Sequence, residues 1–211
     1  WWRRLSLPLL GLIVLLLVAV LVPSVGVAVK GARRWLRWGV ISIQPAEMVK
    51  LITVIYLAAY LAKQEDRLHS FGGGVMPVLI IVGMLSGLVL LEPDLGTVVV
   101  LGLVTAGMLF LGGARVSHLL GMVPVALVVV AGLIWLSPYR WQRLTAFLDP
   151  SKDPTGAGFQ INQSFLAFGS GGLFGVGLGE SKQKLFFLPE AHSDFVLALM
   201  GEELGLVGTG I

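Results

Sequence analysis

No charged side chain interrupts residues 5–29, 75–91 or 95–114, residues 116–139 hold only a histidine, and 43–62 carry only Glu47 and Lys50. Another apolar run opens at Phe195. A helix needs about 20 residues to cross the hydrocarbon core of a bilayer, so these runs predict six membrane spans, the last still unfinished at Ile211. Hydrophobic residues make up 56% of the chain and charged ones 13%, too few charges to cover a water-soluble domain. The expected fold is an all-α polytopic membrane protein: a helical bundle forming a single membrane domain over residues 1–211, with a large loop at 137–193. The chain lacks an initiating Met and stops inside an apolar run, so a fragment of a larger polytopic protein is expected. Without Cys there is no thiolate or disulfide chemistry. Membrane lipids are the implied surroundings, and a net charge of +3 points to no nucleic-acid partner.

Alternating spans put 1–4, 63–74 and 112–116 on one side and 25–42, 92–94 and 137–193 on the other. The first side carries Arg3, Arg4, Lys63, Arg67 and Arg115; the second carries Lys30, Arg33, Arg34, Arg37, Arg140, Arg143, Lys152, Lys182 and Lys184. Counting basic residues assigns the second side to the cytoplasm, though long loops translocate largely regardless of charge.

The stretch 137–193 is too long for a passive connection. It divides into a polar part from Pro138 to Pro154, a short amphipathic helix around Phe159 to Phe168, a Gly-rich run from Gly169 to Gly179, and a closing segment from Glu180 to Ser193. The Gly-rich run lacks a Lys-Ser or Lys-Thr ending and follows no strand, so neither a Walker A loop nor a dinucleotide fingerprint is supported. It reads as a re-entrant or close-packed turn along a path that only Gly permits. No internal repeat is evident.

Ionisable groups next to or inside spans are expensive and mark functional sites by default. Glu190, His192, Asp194, Glu202 and Glu203 cluster where a polar loop enters an apolar helix. Ser193 or Asp194 would also serve as an ordinary N-cap for the run from Phe195 to Met200, and Asp94 for the run from Leu95 to Leu111. His192, Ser193 and Asp194 are adjacent and cannot form a nucleophilic triad, which needs side chains converging from different places. Lys50 lies about two turns inside its span and needs a partner; Glu47, three residues earlier, is the local candidate.

Three blocks carry a resemblance. The first is Lys30-Gly-Ala-Arg-Arg-Trp-Leu36 with Ile43-Gln-Pro-Ala-Glu-Met-Val-Lys-Leu51, and the second is Glu92-Pro-Asp-Leu-Gly-Thr97. The third runs from Gln163 through Gly179 to Ser181-Lys-Gln-Lys184, Leu188-Pro-Glu-Ala-His-Ser-Asp-Phe195 and Gly201-Glu-Glu-Leu-Gly205. In this order and spacing the chain resembles the SEDS (shape, elongation, division and sporulation) family of membrane peptidoglycan glycosyltransferases. Glu190-Ala191-His192 favours its cell-division branch over its elongation branch. The resemblance implies a ten-span fold in the bacterial inner membrane, of which this chain would cover spans three to eight, with Trp1 cytoplasmic and 137–193 extracytoplasmic. That reverses the orientation given by basic residues, and an anionic substrate would account for the excess cation.

The implied reaction polymerises lipid II, an undecaprenyl-pyrophosphate-linked disaccharide-pentapeptide, into glycan strands with inversion at the anomeric carbon. The family's catalytic aspartate falls on Asp194, the general base; Glu190 is the competing base and His192 an orienting or surface residue. The family's cavity lysine falls on Lys50, assigned to positioning Asp194 or the pyrophosphate, and Asp94 supports the site electrostatically. Arg33, Arg34 and Arg37 with Trp35 and Trp38 read as an interfacial headgroup anchor or as guanidinium recognition of a diphosphate; Lys182 and Lys184 would serve the same end. Glu202 and Glu203 are too far along a helix to share a catalytic dyad with Asp194, and read as facing a polar cavity or bracing neighbouring helices. No cofactor is assigned from the sequence; a divalent cation, Mg or Mn, could assist pyrophosphate departure, and no ligand-spaced cluster stands out. The expected partners are a class B penicillin-binding protein transpeptidase and other division proteins. Three rival readings remain: a flippase for the lipid-linked precursor, which would use Lys50, Glu47 and the Gly-rich segment as a polar passage; an elongation-type polymerase; and a non-catalytic scaffold.

Overall fold

A computed structural model of the chain describes residues 1–29, 32–150, 157–181 and 196–210. Each of the six apolar runs contains a helix: α1 (Trp2–Leu21), α2 (Pro45–Leu61), α3 (Met76–Leu91), α4 (Leu95–Leu111), α5 (Val116–Trp135) and, after α6 (Pro138–Leu148) and α7 (Ala157–Gly171), α8 (Val196–Thr209). Three are long and apolar enough to cross a bilayer: α1, α3 with the π-turn that precedes it (Phe71–Leu91), and α5; α4 is apolar but shorter. The chain is therefore a helical membrane protein. It divides into two compact units, residues 1–125 and 126–211, with α5 running through the division.

Local chemistry starts and stops these helices. Proline falls in the first turn of α2 and of α3, where its missing N–H is no loss and its fixed φ suits the helix. Asp94 caps α4, accepting from the Thr97 backbone N–H at 3.1 Å and from Thr97 Oγ1 at 2.9 Å. Gly113, with φ 87°, ends α4. Its N–H reaches Phe110 O at 3.1 Å and Ala114 N–H reaches Leu109 O at 2.9 Å, the paired bonds of a Schellman cap that needs a left-handed residue there.

In the first unit α1 to α4 each bury a stripe: Ile13, Leu17 and Val20 on α1; Val49, Ile52 and Tyr56 on α2; Val78, Val82, Leu85 and Val89 on α3; Leu101 and Leu109 with Thr97 and Thr105 on α4. Steps of three and four keep each stripe on one face. The other faces are also apolar and exposed, as at Leu15, Ile80, Leu103 and Phe110. Lipid is as apolar as leucine, so these stripes hold through close packing rather than through expulsion of water. α5 buries no residue.

Residues 25–42 depart from the expected loop. They contain a three-stranded antiparallel sheet of β1 (Gly26–Val29), β2 (Ala32–Trp38) and β3 (Ile41–Ile43), in that spatial order. Gly26 pairs with Leu36 and Val27 with Trp35, a bulge follows, and Leu36 pairs with Ile43 across the second ladder. Gly39, at φ 57°, supplies the positive φ that a tight hairpin turn requires. Trp35, Leu36 and Trp38 are residue types that fit a strand. A second departure lies in the polar stretch after Pro138, part of which is α6, with Pro138 in its first turn. The amphipathic helix expected around Phe159 to Phe168 is α7.

Candidate functional site: an acidic corner and a glycine-locked helix break

In the first unit the chemistry gathers at the corner between α3 and α4. β2 exposes Arg33 and half-buries its neighbour Arg34. Arg34 Nε donates to Glu92 O at 2.8 Å and its Nη2 to Pro93 O at 2.7 Å, fastening the sheet to the corner. Glu92 itself is 0% exposed, and among the described residues neither carboxylate oxygen has a hydrogen-bond partner. Burial pushes its pKa from 4.5 up to about 7; the Asp94 carboxylate adds to the rise and the Arg34 guanidinium opposes it. Glu92 is thus a carboxyl that can be neutral near physiological pH. Asp94 fills the capping role open to it in the sequence, with both carboxylate oxygens turned to Thr97.

Lys50 lies in the second turn of α2 and pairs with Glu47 at 2.8 Å, the local partner that its spacing offered. The lysine side chain is 30% exposed and the glutamate 60%, so this pair stays in contact with its surroundings. Among the described residues no group of three or more His, Cys, Asp or Glu is gathered to hold a metal ion.

In the second unit the Gly-rich run docks on α8 through the backbone. α8 breaks at Gly205, where φ is 70° and ψ −171°. In an unbroken helix the N–H groups of Leu206 and Val207 would bond the carbonyls of Glu202 and Glu203. Here Leu206 N–H donates to Gly172 O at 2.9 Å and Val207 N–H to Leu173 O at 3.1 Å, while Val176 and Gly177 N–H donate to Glu202 O and Glu203 O at 2.9 and 3.1 Å. The two segments exchange bonds, so a helix break is made without orphaned backbone groups. Only hydrogen fits at the crossing: a Cβ on Gly171 would stand 1.9 Å from Gly201 O, and one on Gly175 2.1 Å from Glu203 O. The close-packed glycine turn read in the sequence has this as its physical content.

Side chains add a further tie. Ser181 Oγ donates to Glu202 Oε2 at 2.5 Å, with Ser181 3% and Glu202 2% exposed. Glu202 is thus a brace, to a loop serine at the end of the Gly-rich segment. Asp194, Glu190, His192, Lys182 and Lys184 lie outside the described residues; Ser181 and Val196 flank them.

Ser181 and Glu92 stand in the motif blocks, but sequence reasoning gave neither a role and did not foresee the carbonyl-clamping use of Arg34. A usable signal existed for the crossing: Gly171 and Gly175 in one segment and Gly201 and Gly205 in the other repeat at a spacing of four, the small-residue pattern of close backbone approach in membranes.

A family model described as "Cell cycle protein" and covering FtsW, RodA and SpoVE matches residues 1–211. The chain is 48% identical over 207 residues to a protein of Trichlorobacter lovleyi named "Probable peptidoglycan glycosyltransferase FtsW", covering 98% of this chain and 54% of that one. A protein of the same name from Coxiella burnetii is 50% identical over 198 residues, 92% of this chain and 52% of the relative. Among solved structures, a chain of a peptidoglycan synthase complex that coordinates polymerization and crosslinking superposes with a TM-score of 0.74 at 30% identity, over 99% of this chain and 57% of that chain. The chain spans about half the length of the curated relatives it matches.

Proposed function

This chain belongs to the FtsW/RodA/SpoVE family of cell-cycle proteins, and from that premise we propose that the intact protein is a peptidoglycan glycosyltransferase of cell division, polymerising lipid II. The observation that carries the reading is the match of nearly the whole of this chain to about half the length of relatives named as such enzymes, by a chain that carries the His192-Ser193-Asp194-Phe195 motif.

In the proposed reaction the carboxylate of Asp194 takes the proton of an acceptor sugar hydroxyl as its oxygen attacks the anomeric carbon of the donor. The bond from that carbon to the pyrophosphate oxygen breaks, and the lipid pyrophosphate leaves with the electron pair. A general base supplies about 10²–10⁴-fold, and cations aimed at the leaving group supply more because they stabilise charge that develops only in the transition state. Arg33, which is exposed on β2, with Lys50 and Lys184, is suited to that role; Arg34 has two of its donors committed to the α3–α4 corner. Glu190 and His192 flank the base. The bacterial inner membrane is the proposed location, with 137–193 extracytoplasmic and a class B penicillin-binding protein as transpeptidase partner.

The test supplies labelled lipid II to the intact protein with its partner in proteoliposomes, beside Asp194→Ala and Asp194→Asn. Polymer is expected only from the unaltered protein, and only from lipid II offered on the loop side. Polymerisation by the Asn variant would move the base elsewhere. Translocation of lipid II without polymer would turn the reading into a precursor flippase.

A further inference from the structure

Glu92 makes an unusual choice of company. Its side chain is fully buried, and among the described residues neither carboxylate oxygen is bonded. A guanidinium stands close enough to act on that carboxyl, yet Arg34 gives its Nε to the main-chain oxygen of Glu92 itself, at 2.8 Å, and its Nη2 to Pro93 O, at 2.7 Å. An ionised carboxylate is the stronger acceptor for a guanidinium and can take it bidentately, and a buried charge left unpaired is among the costliest groups a protein can hold. The arrangement is that of a protonated Glu92.

Few charges surround it. Asp94, in the cap of α4, and Arg34, on β2, act on it with opposite sign. α3 and α4 carry no charged residue, α1 carries only Arg3 and Arg4, at the end away from β1, and on α2 Lys50 and Glu47 pair with each other.

We propose that Glu92 is a proton-controlled latch for the three-stranded sheet: neutral, it leaves Arg34 on the corner carbonyls with β2 docked; ionised, it draws Arg34 off them and releases β2 from the corner. The exchange needs no new partner. A guanidinium held by two main-chain oxygens is offered a charged acceptor on one of the same residues, and the carboxylate relieves its own burial only by recruiting that guanidinium or by reaching water. Burial raises the Glu92 pKa to about 7, so the changeover falls in the neutral range. Below that pH the proton is bound and the latch is closed; above it the latch opens. β2 also carries the exposed Arg33, so the latch sets how firmly that cation is held. The inference goes beyond the glycosyltransferase reading and does not depend on it.

The test follows backbone hydrogen exchange of residues 32–38 in the intact protein, held in lipid nanodiscs at pH 6 and pH 8, with each rate corrected for the intrinsic pH dependence of the chemistry. An opening coupled to one ionisation at about 7 should make β2 exchange about tenfold faster at pH 8 than at pH 6. Residues 76–91 and 95–111 should show no such ratio. Glu92→Gln keeps the shape and stays neutral, so β2 should exchange slowly at both pH values. Arg34→Ala lacks the clamp, so β2 should exchange fast at both. A ratio near one in the unaltered protein overturns the proposal, as does a tenfold ratio that survives in Glu92→Gln. A rise shared equally by α3 and α4 also overturns it, because that is loosening of the whole unit. Should Arg34→Ala not fold, Arg34→Lys takes its place, since an ammonium cannot reproduce the two-pronged grip. Exchange at pH 6 as slow as that of the unaltered protein, from whichever Arg34 variant folds, would show that the clamp does not hold the strand, and the proposal would fall.

Discussion

The corner between α3 and α4 and the crossing of the Gly-rich run with α8 solve one problem in two ways. Each must interrupt apolar helix without leaving backbone groups bare. At the corner, side chains do it: Asp94 caps α4 and Arg34 takes the carbonyls of Glu92 and Pro93. At the crossing, two backbones trade hydrogen bonds directly, and glycine is what lets them approach. The first solution concentrates charge and is adjustable by pH; the second is set by sterics and admits no adjustment. Catalytic segments are best hung from rigid scaffolds, and it is the steric solution that adjoins, in sequence, the segment bearing Asp194.

The largest effect expected from this contrast is at Gly175. Alanine there would place its Cβ 2.1 Å from Glu203 O at a φ of 80°, so both space and backbone conformation oppose it. Destabilisation above about 3 kcal/mol is expected, seen as loss of a monodisperse peak and of the thermal transition in detergent. Gly102→Ala in α4, where nothing lies within 4 Å of the added carbon, should instead stabilise by about 0.5–1 kcal/mol. Equal tolerance at the two sites would break the distinction between backbone-built and side-chain-built breaks.

The next effect sharpens the corner's half of the comparison. Glu92 has a native pKa of about 7 against 4.5 when unfolded. Between those values the native state holds the proton and the unfolded state releases it, so stability is fully present below about 4.5 and is lost as pH rises through 7. The total is about 3 kcal/mol. In thermal melts from pH 4.5 to 8, Glu92→Gln should remove this decline, gaining on the parent as pH rises. Arg34→Ala should make the parent's decline steeper, because the guanidinium is what favours the ionised form. A parallel pH dependence in parent and Glu92→Gln would show that the carboxyl is not the titrating group.

How far the sequence anticipated these two breaks follows from the range of the interactions involved. The six apolar helices were legible because an uncharged run of span length has few alternatives, and the Asp94 cap because its donor is three residues away. The β1–β3 sheet was not, since a short basic and aromatic segment shows period two over only a few residues and reads equally as an interfacial loop. The Gly-rich run announced a tight path but not its partner: nothing in Gly171 to Gly177 names Glu202 to Val207, some thirty residues on. Arg34 and Glu92 were similarly opaque, because a guanidinium that grips carbonyls leaves no complementary side chain to notice. Ser181 was hidden for a different reason, being a small polar residue between more conspicuous lysines and glycines.

The smallest expected effect tests whether charge near the first unit's helices is structural at all. Lys50 and Glu47 form a pair at 2.8 Å, but with the glutamate side chain 60% exposed its stabilisation should be no more than about 0.5 kcal/mol. Glu47→Ala should therefore leave the melting temperature nearly unchanged. If Lys50 serves only to complete that pair, Lys50→Ala should be equally quiet in both stability and glycan synthesis. If it positions Asp194 or the pyrophosphate, Lys50→Ala should lower polymerisation at least tenfold with stability unaltered, and Glu47→Ala should not. The two variants remove opposite ends of one ion pair, so any difference between them in polymer yield reports what the lysine does beyond the pair. The first unit would then hold charges of two kinds, Arg34 spent on carbonyls at the corner and Lys50 on α2 available to a substrate, whereas at the glycine crossing no such division of labour can be tested without breaking the fold.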